Sequence, residues 1–251
     1  MNISGNIIFI PGATSGIGLA LARALQDRGN TVIVGGRRTE LLAEIAAEGF
    51  GTVRIDTTDA DSIRTAADEV LASYPGINVL ITMAGVMRVE DWTSSSFLQT
   101  AEETVTTNLL GPIRLIAAFI EHLRSLPDAT IMTVSSGLAF APLKVTPTYN
   151  ATKAAIHMLS ESIRLQYAGS GIRVLELEPP AVQTALMPGH EDNASAMPLE
   201  AYITEVMDLL ENRPDADEIQ VERVKFLRYG EARGDYAQVV SVLNRTDPHG
   251  R

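Results

Sequence analysis

The chain has 251 residues, of which 45% are apolar and 20% charged; this suits one large globular α/β unit and excludes bulk disorder and fibrous repeats. Its 31 acidic and 20 basic side chains leave a net charge of −11, which repels nucleic acid and anionic membranes. There is no cysteine, so disulfides, thiolate nucleophiles and cysteine metal sites are excluded, and a reducing compartment is expected.

No stretch reaches the roughly 18–20 apolar residues that span a bilayer. The apolar run from Leu109 to Ile120 is broken by Gly111, Pro112 and Arg114. The start, Met1-Asn2-Ile3-Ser4, lacks a basic region followed by an apolar one, so a cytoplasmic protein with no membrane or nucleic-acid partner is expected.

In chain order, short runs rich in Val and Ile alternate with helical patterns. The runs are 7–10, 31–34, 52–55, 79–81, 129–134 and 172–177, and they show little polar alternation. Such runs predict strands covered on both faces, as in a parallel sheet. Between them the spacing predicts helices over 17–28, 40–48, 61–73, 95–124 and 149–168, with Asp59 capping the third. Helices of this length supply the crossovers that parallel strands require. The prediction is six β–α units in a single doubly wound Rossmann-type sheet with helices on both faces, one domain over 1–251. The stretch 188–198 reads as a loop and 199–212 as a helix, so that 185–212 is expected to cover a substrate site. A last helix is expected over 235–243.

The first strand runs straight into Pro11-Gly12-Ala13-Thr14-Ser15-Gly16-Ile17-Gly18, where a helix begins. A strand-to-helix turn concentrates backbone N–H groups and the positive end of the helix dipole, which suits a diphosphate. Gly12 permits the turn, while Gly16 and Gly18 let the backbone approach the phosphates and the helix pack on the strand. The second strand ends in Gly35-Gly36-Arg37-Arg38, without the carboxylate that would bind a ribose 2′-hydroxyl. Arg37 and Arg38 can instead bind a 2′-phosphate, so NADP (as NADPH) is expected over NAD.

Tyr149 and Lys153 are four residues apart at the start of a helical pattern, hence on one face. An adjacent ammonium is expected to lower the phenol pKa into a range useful for acid–base work on an alcohol or carbonyl. Ser136 follows the 129–134 strand at the end that lines the ligand crevice, with Ser135 as its competitor.

With these motifs in place, the chain resembles the short-chain dehydrogenase/reductase family over nearly its whole length. The glycine motif matches from Gly12 to Gly18, and the family's Asn, Ser, Tyr and Lys fall on Asn108, Ser136, Tyr149 and Lys153. The family's Ser-to-Tyr spacing selects Ser136. The segments Ser135–Phe140, Thr146–Tyr149, Pro179–Thr184 and Val221–Lys225 are similar to a DltE-like subgroup. The resemblance implies hydride transfer between a nicotinamide and a small-molecule carbonyl or secondary alcohol. Tyr149 is implied as general acid/base, Lys153 as its pKa partner and ribose ligand, Ser136 as orienter of the substrate oxygen, and Asn108 as holder of a connecting water. Gly12, Thr14, Ser15, Gly16, Ile17 and Gly18 are implied at the cofactor phosphates. Asp56 and Thr57 are implied beside the adenine, Ala84 and Gly85 beside the adenosine ribose, and Pro179, Val182 and Thr184 by the nicotinamide. No metal is implied, in keeping with the lack of clustered histidines, and a homodimer or homotetramer is expected.

Four positions depart from the family. Pro11 replaces Thr, Thr82 and Met83 replace two Asn, and Pro180 replaces Gly. An apolar contact between Pro11 and Met83 is expected to replace the lost polar one. Leu138, Phe140, Leu143, Val145, Met87, Trp92, Leu186 and Met187 are expected to wall an apolar substrate pocket, with Arg88 its nearest cation. Two other readings are a catalytically weak nucleotide-binding regulator or scaffold on the same fold, and an extended-type epimerase or dehydratase. The intact Asn–Ser–Tyr–Lys set opposes the first, and the chain length opposes the second.

Overall fold

The computed structural model describes residues 2–246. Seven strands form one parallel sheet: β1 (Ile7–Pro11), β2 (Thr31–Gly36), β3 (Gly51–Arg54), β4 (Val79–Thr82), β5 (Ala129–Val134), β6 (Ile172–Leu177) and β7 (Glu218–Ile219). Their order, β3-β2-β1-β4-β5-β6-β7, is that of a doubly wound Rossmann-type sheet. The topology reverses between β1 and β4, whose C-terminal ends therefore open the crevice where ligands bind in such sheets.

Alternate strand residues feed two cores. Ile8, Ile10, Val32, Val34, Val79, Ile81, Met132 and Leu175 face one layer, where they meet Leu21, Ala22 and Leu25 of α1 (Gly16–Gln26). Phe9, Ile33, Val53, Leu80, Ile131 and Ile172 face the other. There they meet α3 (Ala60–Ser73) and α5 (Gly111–Arg124), through side chains such as Ile63, Val70, Leu115 and Phe119. Both faces are dry, which is why the strands read as unbroken apolar runs. The helix α2 (Thr39–Ala47) closes the first layer through Leu42 and Ile45. Asp59 caps α3 as expected, its Oδ1 accepting from the N–H groups of Asp61 (2.8 Å) and Ser62 (3.4 Å).

The single helix expected over 95–124 divides into α4 (Phe97–Val105), a π-helical turn (Thr106–Leu110) and α5. Pro112 has no N–H to give to the carbonyl four residues back, that of Asn108, so the α-helical ladder cannot run through this point. The helix α6 (Pro147–Gln166) crosses to β6.

The expectation of six strands is corrected to seven. β7 has only two residues, one of them a glutamate, so it carries no periodicity to read. α7 (Leu199–Asn212) buries Tyr202, Ile203, Val206, Met207 and Leu210 in the same core as α1. Two short helices, α8 (Lys225–Arg228) and α9 (Gly230–Arg233), precede α10 (Tyr236–Thr246). Among the described residues, no helix is long and apolar enough to cross a membrane.

Candidate active site

The glycine turn sits between β1 and α1, at the reversal point of the sheet. Gly12 has φ +86°, and a Cβ there would lie 2.4 Å from the Ala84 Cα, so only glycine allows β1 and the end of β4 to approach this closely. At Gly18 a Cβ would meet Ala13 Cα at 2.8 Å and Met83 Cγ at 2.9 Å. Gly16 is different: nothing lies nearer to its Cβ position than Thr184, at 3.5 Å. Ser15 begins α1 without a side-chain cap bond, and no acid occupies the first turn where Ile17 lies. A helix N-terminus with an open glycine face and no anion of its own fits a diphosphate.

Arg37 and Arg38 are exposed at the end of β2, and Arg38 Nη2 donates to Thr14 Oγ1 at 3.0 Å, which brings a guanidinium over the turn. Asp56 is turned aside: its Oδ1 accepts from Thr58 N (3.0 Å) and Thr58 Oγ1 (2.8 Å). Burial works against its charge, but the Thr58 hydrogen bonds and the Arg37 and Arg54 charges hold it below the usual carboxylate range. Thr57 is buried, its carbonyl against Gly111. These residues fit a dinucleotide with an added phosphate on the adenosine ribose.

Asn108 stands in the π-helical turn, beside Gly85 and joined to the backbone of Val86. Ser136 caps the 3-10 turn Gly137–Ala139, its Oγ accepting from Leu138 N at 3.1 Å. Ser135 Oγ instead donates to the buried Glu176 carboxylate, so the strand sends the two hydroxyls to different partners. Pro179 lies against the same turn, its carbonyl accepting from Gly137 N at 2.9 Å. Val182 is buried and bridges to Met197, and Thr184 reaches Gly16. The turn at Gly16 and the segment after β6 are thereby brought to one crevice.

Tyr149 and Lys153 occupy the first turns of α6, and both are buried. Lys153 Nζ lies 5.5 Å from the centre of the Tyr149 ring and donates to the Val134 carbonyl at 2.8 Å. The expectation of a lowered phenol pKa is corrected here. Burial pushes Tyr149 up to about 12, with the neighbouring Ser136 hydroxyl acting against it. Desolvation favours the neutral phenol, and the Ser136 hydrogen bond offsets it only in part. Burial likewise brings Lys153 down to about 8, opposed by the Glu176 charge.

Of the expected pocket walls, Met87, Leu143 and Met187 cluster with Tyr149, and Leu138 and Val145 pack against them. Leu243 of α10 joins this cluster from a segment with no motif to announce it. The other three walls lie elsewhere. Phe140 meets His157 edge-on at 4.6 Å with the Arg228 guanidinium 4.2 Å from its ring centre. Trp92 is exposed and stacks on Phe97, and Leu186 is exposed. Arg88 ion-pairs with Glu103 at 3.8 Å. Met83 packs over Gly18 and joins the α1 core.

Three buried carboxylates escaped the motif reading. Glu90 Oε2 accepts from Thr148 N (3.2 Å), Thr148 Oγ1 (2.9 Å) and Trp92 Nε1 (2.8 Å), fixing the start of α6 just before Tyr149. Glu176 in β6 and Glu178 just past its end alternate with leucine, and charges within and directly after a strand covered on both faces are the signal that would have found them. His157, Glu176, Glu178 and Glu218 bring donor atoms within 4.8 Å of one another, one histidine among three carboxylates. Arg228 pairs with Glu178 at 3.7 Å and Glu218 at 3.2 Å, so a guanidinium supplies positive charge to this cluster.

The sequence matches the profile of a family described as short chain dehydrogenase over residues 6–194. It is 35% identical to the uncharacterized oxidoreductase DltE of Bacillus subtilis, covering 97% of this chain and 98% of that one. A short chain dehydrogenase from Burkholderia cenocepacia, solved in complex with NADP, superimposes with a TM-score of 0.83 at 26% identity, covering 97% of this chain and 99% of that one. A relative from Burkholderia phymatum in complex with NAD shares the fold, with a TM-score of 0.78 at 19% identity over 94% of this chain and 96% of that one.

Proposed function

This chain belongs to the short-chain dehydrogenase family, and on that footing we propose that it is an NADP(H)-dependent oxidoreductase acting on a small carbonyl or secondary alcohol. The observation that carries the reading is the convergence of Asn108, Ser136, Tyr149 and Lys153 beside an apolar cluster of Met87, Leu143 and Met187. The nicotinamide, when bound, supplies or accepts the hydride and places a positive ring near the phenol. Tyr149 Oη gives its proton to the substrate oxygen in reduction and takes it back in oxidation. Burial keeps the phenol protonated, and a nearby positive charge, by favouring its anion, both strengthens it as a proton donor and brings it towards use as a base. Ser136 Oγ donates to the same substrate oxygen as charge grows there. Lys153 Nζ holds ribose hydroxyls and favours the phenolate. Asn108 holds the loop after β4 and a water leading from Lys153 to solvent.

Gly12, Thr14, Ser15, Gly16, Ile17 and Gly18 bind the diphosphate, and Arg37 and Arg38 the 2′-phosphate. Asp56, Thr57, Ala84 and Gly85 line the adenosine side, and Pro179, Val182 and Thr184 the nicotinamide side. The segment 185–212 forms the substrate-side cover, with Met187 its inward anchor. The protein works in the cytoplasm as a homodimer or homotetramer; the exposed Ile113, Met158 and Leu165 on α5 and α6 support self-association.

The deciding experiment is an NADPH-oxidation screen over aldehydes and ketones, repeated with Tyr149→Phe. Turnover that the variant abolishes supports the reading. Tight NADPH binding without turnover on any compound assigns the protein to the regulatory reading instead.

A further inference from the structure

One buried carboxylate joins the two elements that carry the reacting groups. Glu176 on β6 is fully enclosed and stands in register with Thr133 of β5. Its Oε1 accepts from Ser135 Oγ, and His157 Nδ1 lies 3.0 Å from both of its oxygens. Since a carboxylate only accepts, the His157 proton sits on Nδ1. Ser135 is the residue before Ser136, and Val134, before it, receives Lys153 Nζ at 2.8 Å. His157 follows Lys153 by one turn of α6. Glu176 therefore ties the end of β5, which bears Ser136, to the helix that bears Tyr149 and Lys153.

We propose that Glu176 is a positioning residue for proton transfer: through Ser135 and His157 it sets the spacing of Ser136 from Tyr149 and Lys153. The proposal rests on the dehydrogenase reading above. A structural stitch would need only the hydrogen bonds, whereas this role also needs the charge. Burial depresses Lys153, and Glu176 is the charge that acts against it. The other groups facing Glu176 are His157 and Glu161 on α6, Glu178 beyond β6, Glu218 on β7 and Arg228 on α8. Arg228 pairs with Glu178 and Glu218. His157 is raised chiefly by its hydrogen bond to Glu176.

The chain has three lysines, Lys144, Lys153 and Lys225, so selective lysine labelling yields three side-chain NMR signals and requires no substrate. In Glu176→Gln the Lys153 titration moves to lower pH by about one unit or more, while Lys144 and Lys225 stay in place. In turnover, the inflection of the kcat–pH profile moves the same way and kcat at neutral pH falls by about tenfold or more, the loss expected when a proton-transfer pair is mistuned. Glu176→Asp keeps the charge, so its Lys153 signal titrates near the wild-type value while kcat falls at every pH through the shortened tie. A uniform loss of kcat in Glu176→Gln with the Lys153 titration unmoved overturns the proposal. If Glu176→Gln does not fold, wild-type kcat in Glu176→Asp overturns the positioning role, and reduced kcat with Lys153 unmoved supports it. Wild-type protein that turns over nothing, yet whose Lys153 signal shifts in Glu176→Gln, defeats the dehydrogenase reading and leaves the Lys153–Glu176 charge pairing standing.

Discussion

Asn108 grips the backbone of Val86 at both ends: its Oδ1 accepts from Val86 N and its Nδ2 donates to Val86 O, each at 2.8 Å. The bracket holds the π-helical turn to the segment leaving β4, with Gly85 and Lys153 directly beside it. Asn108→Ala leaves two part-buried backbone groups without partners, at a cost of ~1–3 kcal/mol each where water cannot reach. The melting temperature falls accordingly, by ~2–4 °C per kcal/mol for a chain of this size. Calorimetry checks this, and an unchanged Tm rules the bracket out as a stabilising element.

Tyr149→Phe removes the phenolic proton and leaves the buried ring in place. Turnover falls by ~10²–10⁴-fold, the range for loss of a general acid. NADPH binding, read by fluorescence, stays within a few-fold, because the variant keeps Lys153 and the glycine turn.

Cofactor choice depends on the end of β2, where Arg37 and Arg38 are exposed and no acid stands. On the proposed NADP(H) reading, Arg37→Asp replaces a 2′-phosphate partner with a repelling charge. The NADPH-to-NADH ratio of kcat/KM drops by ~10–100-fold, or ~1.4–2.8 kcal/mol. Equal use of both cofactors by the parent protein defeats the assignment.

Burial, reinforced by the charges of Glu176 and Glu218 and opposed by Arg228, pushes Glu178 up from 4.5 to about 9. The folded protein thus keeps a proton that the unfolded chain has released, and stability falls as pH rises between those two values. Glu178→Gln cannot ionise, so its stability declines less across that window and exceeds that of the parent on the alkaline side. Thermal melts from about pH 6 to about pH 9 measure the two slopes; parallel slopes refute the account.

Met83 fills the space over Gly18 with a partly buried apolar side chain. Met83→Asn puts an amide there in place of an apolar side chain. A loss of ~1–2 kcal/mol is expected in urea unfolding, from lost packing and an under-partnered amide. A gain in stability removes the idea that Pro11 and Met83 are matched.

Local chemistry alone made most of the fold legible. Runs such as 129–134 carry their strand identity in β-branched and apolar residues, the turn from Gly12 to Gly18 carries its glycines at a strand–helix junction, and Asp59 announces the start of α3. The proposed Asn108, Ser136, Tyr149 and Lys153 set was legible mainly through the resemblance to a known family, with only the Tyr149–Lys153 spacing readable along one helix. What depended on distant segments meeting was invisible: β7, two residues long, gains its partner only from β6. The division of 95–124 shows how one residue without an N–H outweighs a continuous apolar pattern. The sign of the Tyr149 shift was also out of reach, since spacing reports the nearby ammonium but not the depth of burial that opposes it. Likewise His157, Glu176, Glu178 and Glu218 are scattered in sequence and become one cluster only when α6, β6 and β7 pack together. Composition and periodicity determined the sheet, and motif position the glycine turn at its first strand–helix junction; tertiary structure decided the electrostatics, because desolvation and charge pairing exist only once remote segments exclude water from one another.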